Sequence, residues 1–315
     1  MAIQNRQPNQ SSDVKTVARE STADRRGLIV LGLALILVLS VLFARSYSPA
    51  QMLFSNDGPL GNNMSAGARL PGAFAGWWAD LNWLGVEFPV ASAGFTYGLR
   101  LLIKPVLFGK FFVPLSLLVL GLCAGIFFRQ IKLTPLACIL GGLAAALNSQ
   151  YFSTACWGAG MHPLTFGMNF LALAALSDTT SRRRWVKVVL AGFAVGMGIM
   201  EGFDIGAIFS LYIATFVFFQ ALSQPGPVPS KLLRGAGRTA LVAGCAAFLA
   251  TQTITGLVGT QIKGVAGMQQ DTRTKEERWD WATQWSMPKV EVLQVIIPGL
   301  FGYGMYTPQG LPESL

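Results

Sequence analysis

Four ionisable side chains stand at the edges of apolar runs, where an unpaired charge is expensive and a functional one is often found. Asp57 lies in Phe54-Ser55-Asn56-Asp57-Gly58-Pro59-Leu60-Gly61, just beyond the first apolar run. Glu201 and Asp204 flank Gly202 and Phe203 between two later runs, and His162, the single histidine, stands beside Pro163. Three carboxylates and an imidazole suit two tasks. Their hard oxygens can hold a divalent cation, Mg²⁺ or Mn²⁺, that clamps a phosphate leaving group. One carboxylate can instead act as general base toward a hydroxyl. Each residue also has a plainer use. Asp57 before Gly-Pro fits an Asx turn, Asp204 fits a helix cap, and His162 fits a hydrogen bond to its own turn.

These residues must be positioned by helices in a bilayer. The 315-residue chain is 52% hydrophobic and only 12% charged, about half the charge of an ordinary soluble domain. That composition excludes a disordered chain and argues against a soluble enzyme. A spanning helix needs about 20 apolar residues. The first run, Leu28 to Ala44, meets that length at the short end and reads as an uncleaved span. Charge-poor stretches follow at 111–128, 133–177, 188–200, 205–230 and 239–262. The second is too long for one helix, and polar residues around Asn148 to Pro163 divide it into two joined by a short turn. The third extends back to Trp185, with Lys187 reaching to the interface. The expectation is an all-α, polytopic transmembrane helical bundle of seven spans.

Lys and Arg distribution orients it. Arg6, Lys15, Arg19, Arg25 and Arg26 precede the first span. Arg129 and Lys132, then Arg182, Arg183, Arg184 and Lys187, then Lys231, Arg234 and Arg238 fall in alternate loops. The turns 149–161 and 200–204 contain no Lys or Arg, and Asp57, Asp80, Glu87, Glu201 and Asp204 fall with them. The N-terminus is therefore expected in the cytoplasm. The formal charge of +9 is explained by lipid contact and orientation, with no role for nucleic acid.

The chain divides into a polar cytoplasmic tail at 1–26, a bundle at 27–260 with a long first outer loop at 45–110, and an extracytoplasmic segment at 261–315. The outer loop holds Trp77, Trp78 and Trp83, which suit sugar stacking and also the interfacial belt. It also holds the apolar stretch 95–108 with Arg100 and Lys104, expected as an interfacial or re-entrant helix. The chain stops soon after its last span, as the N-terminal part of a longer membrane protein would. Gly121-x-x-x-Gly125, Gly192-x-x-x-Gly196 and Gly198-x-x-x-Gly202 allow close helix approach. Cys123, Cys138, Cys156 and Cys245 show no paired spacing and read as apolar fillers. No Walker, GxGxxG, HExxH or Gly-x-Ser-x-Gly pattern occurs.

Four motifs together carry a resemblance. Ser55-Asn56-Asp57-Gly58-Pro59-Leu60-Gly61 after the first span and Trp78-Ala79-Asp80-Leu81-Asn82-Trp83-Leu84-Gly85 in the outer loop are two of them. The later Trp281-Ala282-Thr283-Gln284-Trp285-Ser286-Met287-Pro288 and Pro298-Gly299-Leu300-Phe301-Gly302 complete the set. The chain thereby resembles the YfhO-like proteins of the bacterial inner membrane, relatives of the GT-C class of polytopic glycosyltransferases. The resemblance implies a lipid-linked sugar donor, a polyprenyl phosphate, used at the non-cytoplasmic face. It implies that Asp57 is the acidic residue of the first outer loop that activates the acceptor. Glu201 and Asp204, with His162 beside them, would hold a metal or orient the phosphate, although their spacing departs from Asp-x-Asp. Arg100 and Lys104 would pair with the phosphate, and Trp78 and Trp83 would meet sugar. A transporter or flippase, or a non-catalytic membrane subunit, is the alternative. The sequence sets neither the sugar nor the oligomeric state.

Overall fold

The computed structural model describes residues 10–79, 86–88, 91–178, 181–257, 276–277, 279–280, 283, 289–297 and 300. The chain forms two compact units, Met1–Ile262 and Lys263–Leu315. Described structure in the second unit includes a 3-10 stretch, Lys289–Val295.

The first unit is helical. In chain order its helices are α1 (Gln10–Leu42), α2 (Leu60–Ala68), α3 (Phe95–Leu102), α4 (Pro105–Gln130), α5 (Pro135–Ala146) and α6 (Ser149–Trp157). They continue as α7 (Met161–Ser177), α8 (Arg184–Glu201), α9 (Phe203–Leu222), α10 (Val228–Leu249) and α11 (Thr251–Leu257). A small antiparallel ribbon, β1 (Trp77–Ala79) with β2 (Val86–Phe88), interrupts the outer loop, with Trp78 opposite Glu87. Among the described residues three helices, α4, α9 and α10, are long and apolar enough to cross a membrane.

Burial ranks them. In α4 56% of the apolar window is buried, against 22% in α9 and 17% in α10, so α4 is the central post and the other two present most of their apolar surface outward. Leu117 and Leu120 of α4 are fully buried, and α4 packs on α1, α5 and α7. A second core joins Leu176 of α7, Val188 and Val195 of α8, Val217 of α9 and Val242 of α10. Glycines set the closest crossings. A Cβ on Gly121 would stand 2.9 Å from the Gly142 carbonyl oxygen, and one on Gly192 would stand 2.8 Å from that of Val242. Side chains at these points would force α4 from α5 and α8 from α10.

Several boundaries differ from expectation. The stretch 133–177 holds three helices, because Asn148 ends α5 and caps α6, its side chain accepting from the Gln150 and Tyr151 N–H groups. With 12 residues α5 is about 18 Å long, well short of the hydrocarbon thickness. Pro105 starts α4 ahead of the expected 111, since a proline at the first turn loses no hydrogen bond. The last long helix spans 228–249 and carries Lys231, Arg234 and Arg238 within its first half. The polar segment expected as a tail is helical from Gln10 onward, continuous with the apolar part of α1.

Candidate functional site

Asp57 belongs to a loop pinned to the far end of α6. Its N–H donates to the Trp157 carbonyl at 2.9 Å. Gly158, at φ +125°, lies against this backbone so closely that a Cβ there would meet the Gly58 nitrogen at 2.5 Å. Here glycine is required twice, by conformation and by space. The turn itself is held by Ser55, whose Oγ accepts the Gly58 N–H at 3.0 Å. Asp57 is thus free of turn duty, and its carboxylate is exposed, with Asn56 Nδ2 3.3 Å from Oδ1.

A relay of polar contacts connects this loop to Arg100. The Gly58 carbonyl accepts from Asn63 Nδ2 at 3.1 Å, and Asn63 Oδ1 accepts from Arg100 Nη2 at 3.0 Å. Asn63 is buried on α2, one turn into the helix that Pro59 and Leu60 begin. The Arg100 guanidinium lies 5.2 Å from the Tyr97 ring centre and 4.9 Å from that of Phe108, a cation-π arrangement with two rings. Burial pushes its pKa below the ordinary arginine value, opposed by Tyr97 and the Glu201 charge. Its Nε is buried without a hydrogen-bond partner. Beneath the loop, Ser55, Gly58, Asn63, Arg100 and Gly158 help line a cavity of about 40 Å³. That volume holds a few waters and no sugar ring.

Glu201 takes a different role. It is 8% exposed, and its carboxylate sits on the first turn of α3. Oε1 accepts the Thr96 N–H at 3.1 Å and Oε2 accepts the Thr96 hydroxyl. A Cβ on Gly94 would overlap Oε1, so glycine there lets the carboxylate reach the helix start. A negative charge at a helix N-terminus is favourable. Glu201 therefore docks α3 onto the end of α8.

The other expected residues are dispersed. His162 is half-buried on the first turn of α7, with its ring edge 3.6 Å from where a Gly202 Cβ would stand. Asp204 is exposed in the first turn of α9, and the capping position belongs to Gly202. Lys104 is exposed at the start of α4. Trp78 is a strand residue of the ribbon, and Trp83 lies outside the described residues. Among the described residues no three His, Cys, Asp or Glu side chains converge on a point where an ion could sit. In this structure Glu201 spends both oxygens on Thr96.

Three contributors escaped the sequence reading. Lys110 is buried within α4 and its ammonium donates to the Ser48 carbonyl, tying the loop after α1 to the central helix. Its only signal was one cation at the edge of an apolar run, which reads equally as a loop boundary. Asn63 and Thr96 gave no signal at all, being ordinary polar residues until the fold brings them to Arg100 and Glu201. The chain matches no family model, no curated protein and no solved structure.

Proposed function

We propose that the chain is a seven-span protein of the bacterial inner membrane whose outer face carries a glycosyltransferase-like site centred on Asp57. Contacts between helix ends support the seven-span reading. The segments assigned outside touch one another, Asp57 with Trp157 and Thr96 with Glu201, and the outer loop also meets the end of the last span, Phe74 with Gln252 and Ser92 with Thr253. Those assigned inside do likewise, since a Gly27 Cβ would lie 3.2 Å from Pro135 and Arg238 donates to the Leu176 carbonyl. On this reading α5 crosses together with α6.

The observation that carries the enzymatic reading is the exposed Asp57 carboxylate on a backbone-clamped loop, above a half-buried arginine whose buried Nε is a spare donor. Asp57 would take the proton from an acceptor hydroxyl as its oxygen attacks the anomeric carbon, while the bond from that carbon to the phosphate oxygen breaks and polyprenyl phosphate leaves with the electron pair. Arg100, held by Asn63 and two rings, would meet the phosphate of a polyprenyl-phosphate donor once α2 and α3 part to open the cavity. Fixed orientation of both groups is how such a site gains rate. Glu201 serves by placing α3, and Lys104 adds positive potential at the entrance.

Sugar transfer from labelled polyprenyl-phosphate donors, in membranes containing the full chain, tests this. Asp57→Asn at equal expression is expected to lose transfer by about a hundredfold or more, the scale of a general base. Undiminished transfer by that variant would remove the mechanism.

A further inference from the structure

The end of α8 opposite Glu201, about 25 Å away along the helix, carries a second and unrelated feature. Arg184 and Trp185 of α8, Gln224 after α9, and Arg234 and Arg238 of α10 line one cavity of about 410 Å³, floored by Val188 and Ala221. That size lies within the range of ligand pockets. Among the described residues no ion pair joins any of the three arginines to a carboxylate, and Asp178 on the same side is engaged by Lys187. Among the described residues Arg238 reaches the Leu176 carbonyl at 3.4 Å and Gln220 Oε1 at 3.5 Å, long contacts that hold the guanidinium without neutralising it. Three like charges around one apolar-floored cavity repel each other, and a bound anion relieves that.

A separate cavity of about 310 Å³ continues along the same helices, lined by Leu211, Val217, Thr239, Val242 and Ala246 among others. Val217 stands one turn from Ala221 on α9, and Val242 one turn from Arg238 on α10. The apolar groove thus begins where the arginine pocket ends. Trp185 is 53% exposed beside the pocket, as an indole at a headgroup boundary would be. A phosphate held by arginine forks with an acyl chain along α9 and α10 would satisfy both.

We propose that these two cavities form one binding site for an anionic phospholipid, phosphate among Arg184, Arg234 and Arg238 and acyl chain in the α9–α10 groove. The proposal is independent of the sugar-transfer reading and of which membrane face the pocket occupies.

Native mass spectrometry of the full chain, purified in a neutral detergent and titrated with phosphatidylglycerol, phosphatidylcholine or inorganic phosphate, tests it. Wild type is expected to retain phosphatidylglycerol in preference to phosphatidylcholine. Combined Arg184→Gln, Arg234→Gln and Arg238→Gln should weaken retention by roughly a hundredfold, and Arg234→Gln alone, at an exposed position, by roughly fivefold. Ala243→Phe, which fills the groove, should weaken it while leaving the arginines intact. Equal retention by wild type and the Arg234→Gln chain, with unchanged helix content by circular dichroism, would overturn the site. Thermal protection by inorganic phosphate equal to that by the lipid, and indifference to Ala243→Phe, would overturn the lipid in favour of a soluble phosphoester.

Discussion

Two carboxylates that look alike in the sequence, each next to a glycine at the edge of an apolar run, end in opposite environments. Asp57 is exposed because Ser55 takes over the turn and the backbone does the anchoring. Glu201 is buried because Gly94 leaves room for it at the start of α3. Their substitutions should separate. Glu201→Gln keeps an acceptor for the Thr96 N–H and loses the charge, and is expected to cost about 1–2 kcal/mol, the scale of a charged hydrogen bond. Thermal unfolding in detergent would record it, and an unchanged midpoint would deny Glu201 its docking role. Gly158→Ala combines a strained left-handed conformation, about 1–2 kcal/mol, with a clash on the Gly58 nitrogen. It should displace the Asp57 loop, so sugar transfer should fall more than the unfolding midpoint. Equal transfer in wild type and this variant would mean that the loop clamp is irrelevant to the site. Asp57 stands out in the sequence because it is a carboxylate just beyond the first apolar run. Its clamp does not, since Trp157 lies a hundred residues away in sequence and contributes only a backbone carbonyl.

At the scale of elements, the sequence exposes whatever depends on local pattern. Long apolar runs locate α4 and α9, and Pro at a first turn and Asn at a cap mark helix starts once their meaning is known. The break at Asn148 was legible, but the segment after it, expected as a short turn, holds the nine-residue helix α6, because its polar residues resemble those of a loop. The sequence reading also placed the start of α10 too late, treating Lys231, Arg234 and Arg238 as loop although long basic side chains are tolerated on a helix that ends near headgroups. The glycine pairs, by contrast, mark a real crossing. Gly192→Val would push α8 from α10, because even a Cβ meets the Val242 carbonyl at 2.8 Å. Gly244 on α10 has nothing within 4 Å of its Cβ position, so Gly244→Ala should be neutral or slightly stabilising. Comparing the two by thermal unfolding isolates the crossing from helix propensity. Equal behaviour would show that α8 and α10 do not pack through Gly192.

For the whole molecule, the parity of helix ends decides which loops share a face. Charge alternation along the chain and contact between segments far apart in sequence are separate observations, one set by insertion and the other by packing. Both assign residues 55–61, 149–158 and 201–204 to one end of the bundle and residues 181–187 and 222–238 to the other. Packing alone gives no absolute direction, which depends on the Lys and Arg bias. Single cysteines in a chain whose four native cysteines are replaced by alanine supply it. Gly61→Cys and Gln150→Cys, both exposed at the Asp57 end, should react with an impermeant maleimide added to intact cells. Arg182→Cys and Gln224→Cys, exposed at the other end, should react only after permeabilisation. The reversed pattern would turn the chain over and place Asp57 in the cytoplasm, beyond reach of a donor presented outside. Mixed labelling within either pair would break the parity itself, and with it the seven-span reading.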